Sequence, residues 1–218
     1  EGYFRLGDAD FELAAKLRGE PRKAMFVQAA QAYQSATKIA PPGGDIYFLS
    51  LYKLGWSYYN QATQSNQPEY QQAVEVFGRL VAEYDQLSPE QQARLGLRGE
   101  AIEYMAVALT QTGGAEAARR YFGSHPTTSF RLPVLRRVAS GLRDQGDFVR
   151  AVDAYRAVLL DSPADSGALS EQREIVDIYQ NRVLEPDKAQ GARLDFGDRF
   201  DPNSVGWNGS PAVRDSAQ

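Results

Sequence analysis

Leu54-Gly55-Trp56-Ser57-Tyr58-Tyr59 and, far downstream, Ala151-Val152-Asp153-Ala154-Tyr155-Arg156-Ala157-Val158 with Pro163 beyond it read as opposite halves of one helical-hairpin repeat. The downstream copy sets the frame. Leu135, Val138 and Leu142 recur at helical spacing around small Ala139, Gly146 follows, and Ala151, Tyr155 and Val158 resume the spacing. Apolar steps of that length keep one face of each helix buried. Gly146 followed by Asp147 supplies a helix stop and the next N-cap, so two antiparallel helices are expected.

One period upstream the same pattern falls on Ile102, Met105, Ala106, Leu109, Gly113, Ala118 and Phe122. Further back, Leu51, Leu54, Gly55 and Tyr58 match the opening helix. Ala73, Phe77, Leu80 and Asp85 match the closing helix after the polar turn Thr63-Gln64-Ser65-Asn66-Gln67-Pro68. The first copy diverges most: Tyr3, Leu6 and Gly7 open it, and Ala29, Tyr33, Ala36 and Pro41 close it after an insertion at Gly19-Glu20-Pro21. With these residues the chain resembles the tetratricopeptide repeat (TPR) family, whose period is about 34 residues. The resemblance implies an all-α fold of antiparallel helical hairpins stacked in a right-handed superhelix, a TPR-like solenoid.

Hairpins are expected at about 1–40, 45–85, 88–124 and 130–162, followed by a capping helix at 165–182 that carries Leu169, Gln172, Ile175, Val176 and Tyr179. Because neighbouring repeats bury each other's faces, 1–182 is expected to count as one array. Small Gly55, Ala106 and Ala139 on opening helices face Ala73, Ala118 and Ala151 on closing ones, which suits helices packed about 8–10 Å apart. Ser88-Pro89-Glu90-Gln91 carries a capping box with Pro at the first helical position. It predicts a long helix to about Thr112, with Gly96 and Gly99 marking a kink or break. From 183 to 218 a short helix through Ala189, Ala192, Leu194 and Phe196 is expected to lead into a loosely held tail containing Trp207 and Val213.

The 218 residues are 43% hydrophobic and 24% charged with net charge -4, a balance that belongs to folded chains. The mildly acidic balance argues against a general nucleic-acid binder, which needs clustered cations. Arg119-Arg120 and Arg136-Arg137 are tight basic pairs whose simplest reading is a solvated helix face. No stretch approaches the roughly 18 apolar residues of a membrane span. Absence of cysteine excludes disulfides and thiolate chemistry. A chain opening on Glu1 is expected to be a processed or excised piece of a longer protein.

Sequence signals for chemistry are sparse. The one histidine, His125, sits in Gly123-Ser124-His125-Pro126 and reads as a loop residue. Gly113-Gly114 lacks the Lys and Ser/Thr of a phosphate-binding loop. Asp8-Ala9-Asp10-Phe11-Glu12 and the run from Asp198 to Asn203 gather oxygen ligands without an EF-hand layout, and Asn208-Gly209-Ser210 is a sequon by pattern only. No catalytic residue, metal site or cofactor is therefore expected, and the chain is not expected to be an enzyme.

In TPR arrays the opening helices line a concave groove, so the resemblance implies a protein or peptide partner on their non-core face. That face carries Phe4, Asp8 and Phe11, then Tyr52, Trp56, Tyr59 and Asn60, then Glu103, Val107 and Gln111, and finally Arg136, Ser140 and Arg143. It has an aromatic end and an Arg end, both residue types favoured at interface hot spots. Packing of Trp56 and Tyr59 on a neighbouring hairpin is the alternative. Trp56 and Val107 stand where carboxylate-clamping members carry Asn, so an extended or helical hydrophobic segment is the expected partner rather than a chain terminus. Leu51 to Tyr59 together with Tyr70, Ala73, Val74, Phe77, Leu80 and Glu83-Tyr84 is similar to bacterial cell-envelope members of the family, such as the Bam-complex lipoprotein and the Tol-Pal coordinator protein. That similarity implies a periplasmic or outer-membrane-associated location in preference to the cytoplasm.

The leading expectation is a non-enzymatic scaffold. Two alternatives stand beside it. One is an all-α hydrolase using paired carboxylates, Glu100 and Glu103 with Asp144. The other is self-association through an exposed array end or the Trp207 tail.

Overall fold

The computed structural model describes residues 1–62, 68–163 and 165–200, and every regular element among them is helical. The 183–218 tail expectation beyond Phe200, with Trp207 and Val213, and the 63–67 turn lie outside the described residues. The described residues group into two compact units: unit 1 is 1–113 with 122–130, and unit 2 is 114–121 with 131–200.

Unit 1 is built on α1 (Gly2–Lys16), α2 (Gly19–Ile39), α3 (Asp45–Gln61), α4 (Pro68–Tyr84), the short α5 (Pro89–Leu95) and α6 (Arg98–Thr112). α1 packs on α2, α2 on α3, α3 on α4 and α4 on α6, so each long helix covers the apolar stripe of the one before it. On α2 that stripe is Phe26, Ala29, Ala30, Tyr33 and Ala36, all buried. On α4 it is Ala73, Val74, Phe77, Leu80, Val81 and Tyr84. Ala29, Ala30, Tyr33 and Leu54 form one cluster, with Phe4, Phe11, Tyr58 and Val76 packed around it. The α3–α4 contact is close because Gly55 carries no side chain: a Cβ there would lie 2.7 Å from the Phe77 ring, which is fully buried.

The helix expected from Ser88 to Thr112 is two helices. Ser88 caps α5 through its capping box with Gln91. Gly96 then adopts the left-handed conformation (φ 63°), which a residue without Cβ tolerates, and its N–H bonds to Gln92 O. Leu97, buried, begins the turn into α6. This break places Arg98 beside Asp85, the residue that ends α4 in place of the usual proline.

Arg98 Nε and Nη2 donate to Asp85 Oδ1 and Oδ2 at 2.6 and 3.1 Å, and Ser129 Oγ donates to Oδ2. One carboxylate thus ties the end of α4, the start of α6 and the 125–130 loop. Burial pushes the Asp85 carboxyl up, but the Arg98 guanidinium and the Ser129 hydroxyl outweigh it and hold it below the ordinary carboxylate range. A depressed folded-state pKa stabilises the native state above the unfolded value of about 3.9 and is lost as pH falls through the folded value. Asp85→Asn is expected to lower stability by about 1–2 kcal/mol at pH 7. Urea melts at several pH values check this, and the gap between variant and parent closes below about pH 4.

Unit 2 contains the first part of α7 (Ala115–Ser124), then α8 (Arg131–Asp144), α9 (Phe148–Asp161), α10 (Ala168–Asp177) and α11 (Pro186–Phe200). At the α8–α9 turn Asp147 N–H bonds to Leu142 O, Gly146 N–H bonds to Arg143 O, and the Asp147 carboxylate caps α9 by accepting from Arg150 N–H. Val134, Leu135, Val138, Ala139 and Leu142 of α8 are buried, as are Ala151, Val152, Tyr155 and Val158 of α9. α10 packs on α9 and α11, burying Leu169, Gln172 and Ile175, with the Gln172 amide donating to Ala192 O of α11 at 3.0 Å, and runs into a π-helical turn, Ile178–Arg182. α11 follows, burying Ala189, Ala192 and Phe200. Leu194, opposite the Ala189–Ala192–Phe200 stripe, is 63% exposed.

Candidate functional site

α3 turns Leu51, Leu54, Gly55 and Ser57 inward and leaves Tyr52, Lys53, Trp56, Tyr59 and Asn60 half-buried on its other side. That face opens on a cavity of about 390 Å³ lined by Phe11 and Ala15 of α1, Arg22 and Phe26 of α2, and Tyr52, Lys53, Trp56 and Asn60 of α3. Of the residues expected on a groove, Phe11, Tyr52, Trp56 and Asn60 therefore meet in one place.

The rings are held rather than loose. Phe11 meets Phe26 edge to face at 5.1 Å between centroids. Tyr52 meets Trp56 at 6.5 Å, and Trp56 lies against Tyr104 of α6 at 4.0 Å. Tyr59 stands between Tyr70 and Tyr104, at 5.6 and 6.4 Å, so it belongs to the support of the wall more than to its surface. Trp56 does both: one side packs on the neighbouring hairpin and another lines the cavity. Tyr52 donates its phenol proton to Glu100. Burial first, then that hydrogen bond, push the phenol up to about 12, so it stays a neutral donor at physiological pH. Phe4 and Asp8 act further along α1, Phe4 against the Tyr33 ring at 5.9 Å and Asp8 accepting from the Tyr33 hydroxyl at 2.6 Å.

Asn60 is fixed at both ends of its amide, donating to Trp56 O at 2.9 Å and accepting from Arg22 Nη2 at 2.8 Å. The Arg22 guanidinium lies over Phe26 at 5.1 Å and the Lys53 ammonium over Phe11 at 4.8 Å. Among the described residues neither cation pairs with a carboxylate. The opening-helix pattern missed Arg22 and Phe26 because they come from a closing helix. The adjacent pair Arg22-Lys23 was the available signal.

Glu103, Val107 and Gln111 of α6 do not line this cavity. Glu103 and Val107 are half-buried and Gln111 is exposed.

Arg136, Ser140 and Arg143 belong to unit 2, where they line a cavity of about 320 Å³ with Arg137, Tyr155, Ser170, Glu171 and Glu174. Its cations are already engaged. Arg136 pairs with Asp165 and, through Nε at 2.6 Å, with Glu171; Arg143 pairs with Glu174 and Asp144, each at 2.9 Å. The Arg end is thus a salt-bridged seam between α8 and α10. Glu171 is almost fully buried, so removing Arg136 strands its charge. Arg136→Ala is expected to cost up to about 3 kcal/mol, less than a wholly buried pair because the arginine is partly exposed. Arg136→Ala,Glu171→Leu should recover most of that in a thermal melt.

The carboxylates considered for hydrolysis are occupied by other work: Glu100 accepts from Tyr52, and Asp144 pairs with Arg143. Ser124 Oγ lies 3.2 Å from His125 Nδ1, while Glu75 Oε2 is 3.8 Å from Nε2, beyond hydrogen-bond reach. Among the described residues no group of three metal-ligating side chains occurs, and no helix is long and apolar enough to cross a membrane.

No family model matches the chain, and no curated protein matches it. Among solved structures it is similar to a Podospora anserina kinesin light chain-like protein with nearly identical TPR-like repeats, at 17% identity and a TM-score of 0.35, over 91% of this chain and 96% of that one. A superposition that loose bears on neither partner nor activity.

Proposed function

We propose that the chain is a protein-interaction scaffold with no chemistry of its own, and that unit 1 holds a segment of another polypeptide on its α1–α2–α3 face. The observation that carries this reading is the cavity of about 390 Å³, whose rings are braced from behind and whose two cations pair with no carboxylate among the described residues. Braced aromatic walls lose little entropy on binding, and aromatic and arginine side chains dominate interface energetics. Binding of a segment of a few residues needs only such a cleft with a small number of fixed polar groups, here the Asn60 amide and the Arg22 and Lys53 heads.

Panning a peptide-display library against the immobilised full chain tests the proposal. Peptides are selected by the parent, and binding is lost on Tyr52→Ala,Trp56→Ala; equal recovery by both proteins rejects the assignment. The seam in unit 2 serves as control, since Ser140→Ala should leave selection unchanged. A bacterial envelope location is part of the same reading and rests only on the resemblance around α3 and α4. Fractionation of cells expressing the full-length gene product tests it, and recovery in the cytoplasm alone counts against it.

A further inference from the structure

α11 has two faces of opposite character. Ala189, Ala192, Phe196 and Phe200 face inward, whereas Asp187, Gly191, Leu194, Asp195 and Asp198 fall on one outward stripe at helical spacing, and all five are exposed. Leu194 is a large apolar side chain left 63% exposed. Asp187, Asp195 and Asp198 make no ion pair among the described residues, although other surface carboxylates of this unit are paired, including Glu174, Asp177 and Glu185. An exposed leucine flanked by carboxylates that pair with no cation among the described residues, with a glycine one turn away that permits close approach, is the complement of the unit 1 cavity: aromatic walls rimmed by Arg22 and Lys53, which pair with no carboxylate among the described residues.

We infer that the segment bound in the unit 1 cavity is α11 of a second copy of this chain, with Leu194 seated among Phe11, Tyr52 and Trp56, and Asp195 and Asp198 meeting Arg22 and Lys53. This rests on the reading that the cavity takes a polypeptide segment, and names the segment. Each copy carries one such cavity and one such helix, so a second copy can supply the segment that the first one binds. Bringing the two cations onto carboxylates withdraws them from the Phe11 and Phe26 faces and frees both rings for the leucine. Opposite charge at the rim also makes the association weaken with salt.

Sedimentation velocity of the full chain across micromolar concentrations tests the inference. The parent should sediment above the monomer mass as concentration rises, and less so at high salt. Arg22→Glu,Lys53→Glu and, separately, Asp195→Lys,Asp198→Lys should each weaken association at least tenfold. Mixed in equal amounts the two variants should associate again, since each then finds an opposite charge; that recovery also shows that both are folded. Sedimentation of the parent as a monomer at every concentration overturns the inference, as does association that ignores both reversals or fails to return on mixing. In either case peptides selected by the library still bind at Trp56, so the scaffold reading stands. Failure of that reading looks different, because no selected peptide then depends on Tyr52 and Trp56.

Discussion

Trp56→Ala is expected to abolish most of the affinity of unit 1 for the segment proposed to bind there, with a loss of about 2 kcal/mol or more, roughly thirtyfold in Kd. Trp56 both lines the cavity and rests on Tyr104, at 4.0 Å between ring centroids. Truncation therefore removes contact area for the ligand and lets Tyr52 and Tyr59 relax toward the space left behind. A structural contribution is separable. Trp56→Phe keeps a ring against Tyr104 and should retain most of the melting temperature while losing part of the affinity. Trp56→Ala lowers both. Isothermal titration with a selected peptide, beside a thermal melt of each variant, reads the two effects apart, and equal affinities for parent and Trp56→Ala defeat the site.

Gly55→Leu and Phe77→Ala carry the largest expected effects on stability. The leucine Cβ alone would meet the Phe77 ring at 2.7 Å, and Phe77 is fully buried with Tyr52 and Tyr104 close to it. Overpacking of this kind ordinarily costs about 1–3 kcal/mol, and a leucine has more to place than one methyl group. Phe77→Ala fails in the opposite sense, leaving a cavity worth about 3–5 kcal/mol. The two sites share one volume, so their effects are not additive. Gly55→Leu,Phe77→Ala should be more stable than the sum of the single changes predicts by about 1 kcal/mol or more. Additive melts would show that α3 and α4 do not meet through this pair.

Gly55 and Phe77 also show why the hairpin pattern was readable. Small and large residues that must interlock at a helix crossing leave a periodic trace, and the trace around Gly55, Ala73 and Phe77 locates α3 and α4. The exposed side of α3 follows from the same register, which is how Tyr52, Trp56 and Asn60 were reachable. What register does not carry is the identity of whatever crosses from the next helix. Arg136 and Arg143 fall on the expected face of α8, yet Asp165, Glu171 and Glu174 meet them from farther along the chain. Arg22 and Phe26 line the cavity from a closing helix, where the pattern assigns no ligand contact. Asp85 reads only as a missing proline until Arg98 and Ser129 are seen on it. The break at Gly96 was signalled by its glycine, but not the positions of the two resulting helix ends, since those depend on Leu97 finding a buried site.

On the proposed function a polypeptide segment and the Trp56 ring share one cavity, and the emission of that ring reports on it directly. With Trp207→Phe in place, Trp56 is the single tryptophan of the chain. Titration with a library-selected peptide should shift its emission to shorter wavelength, saturating at one peptide per chain, with the shift abolished by Tyr52→Ala or weakened by Arg22→Gln,Lys53→Gln. Saturable binding that leaves the Trp56 emission unmoved would place the segment elsewhere and contradict the account.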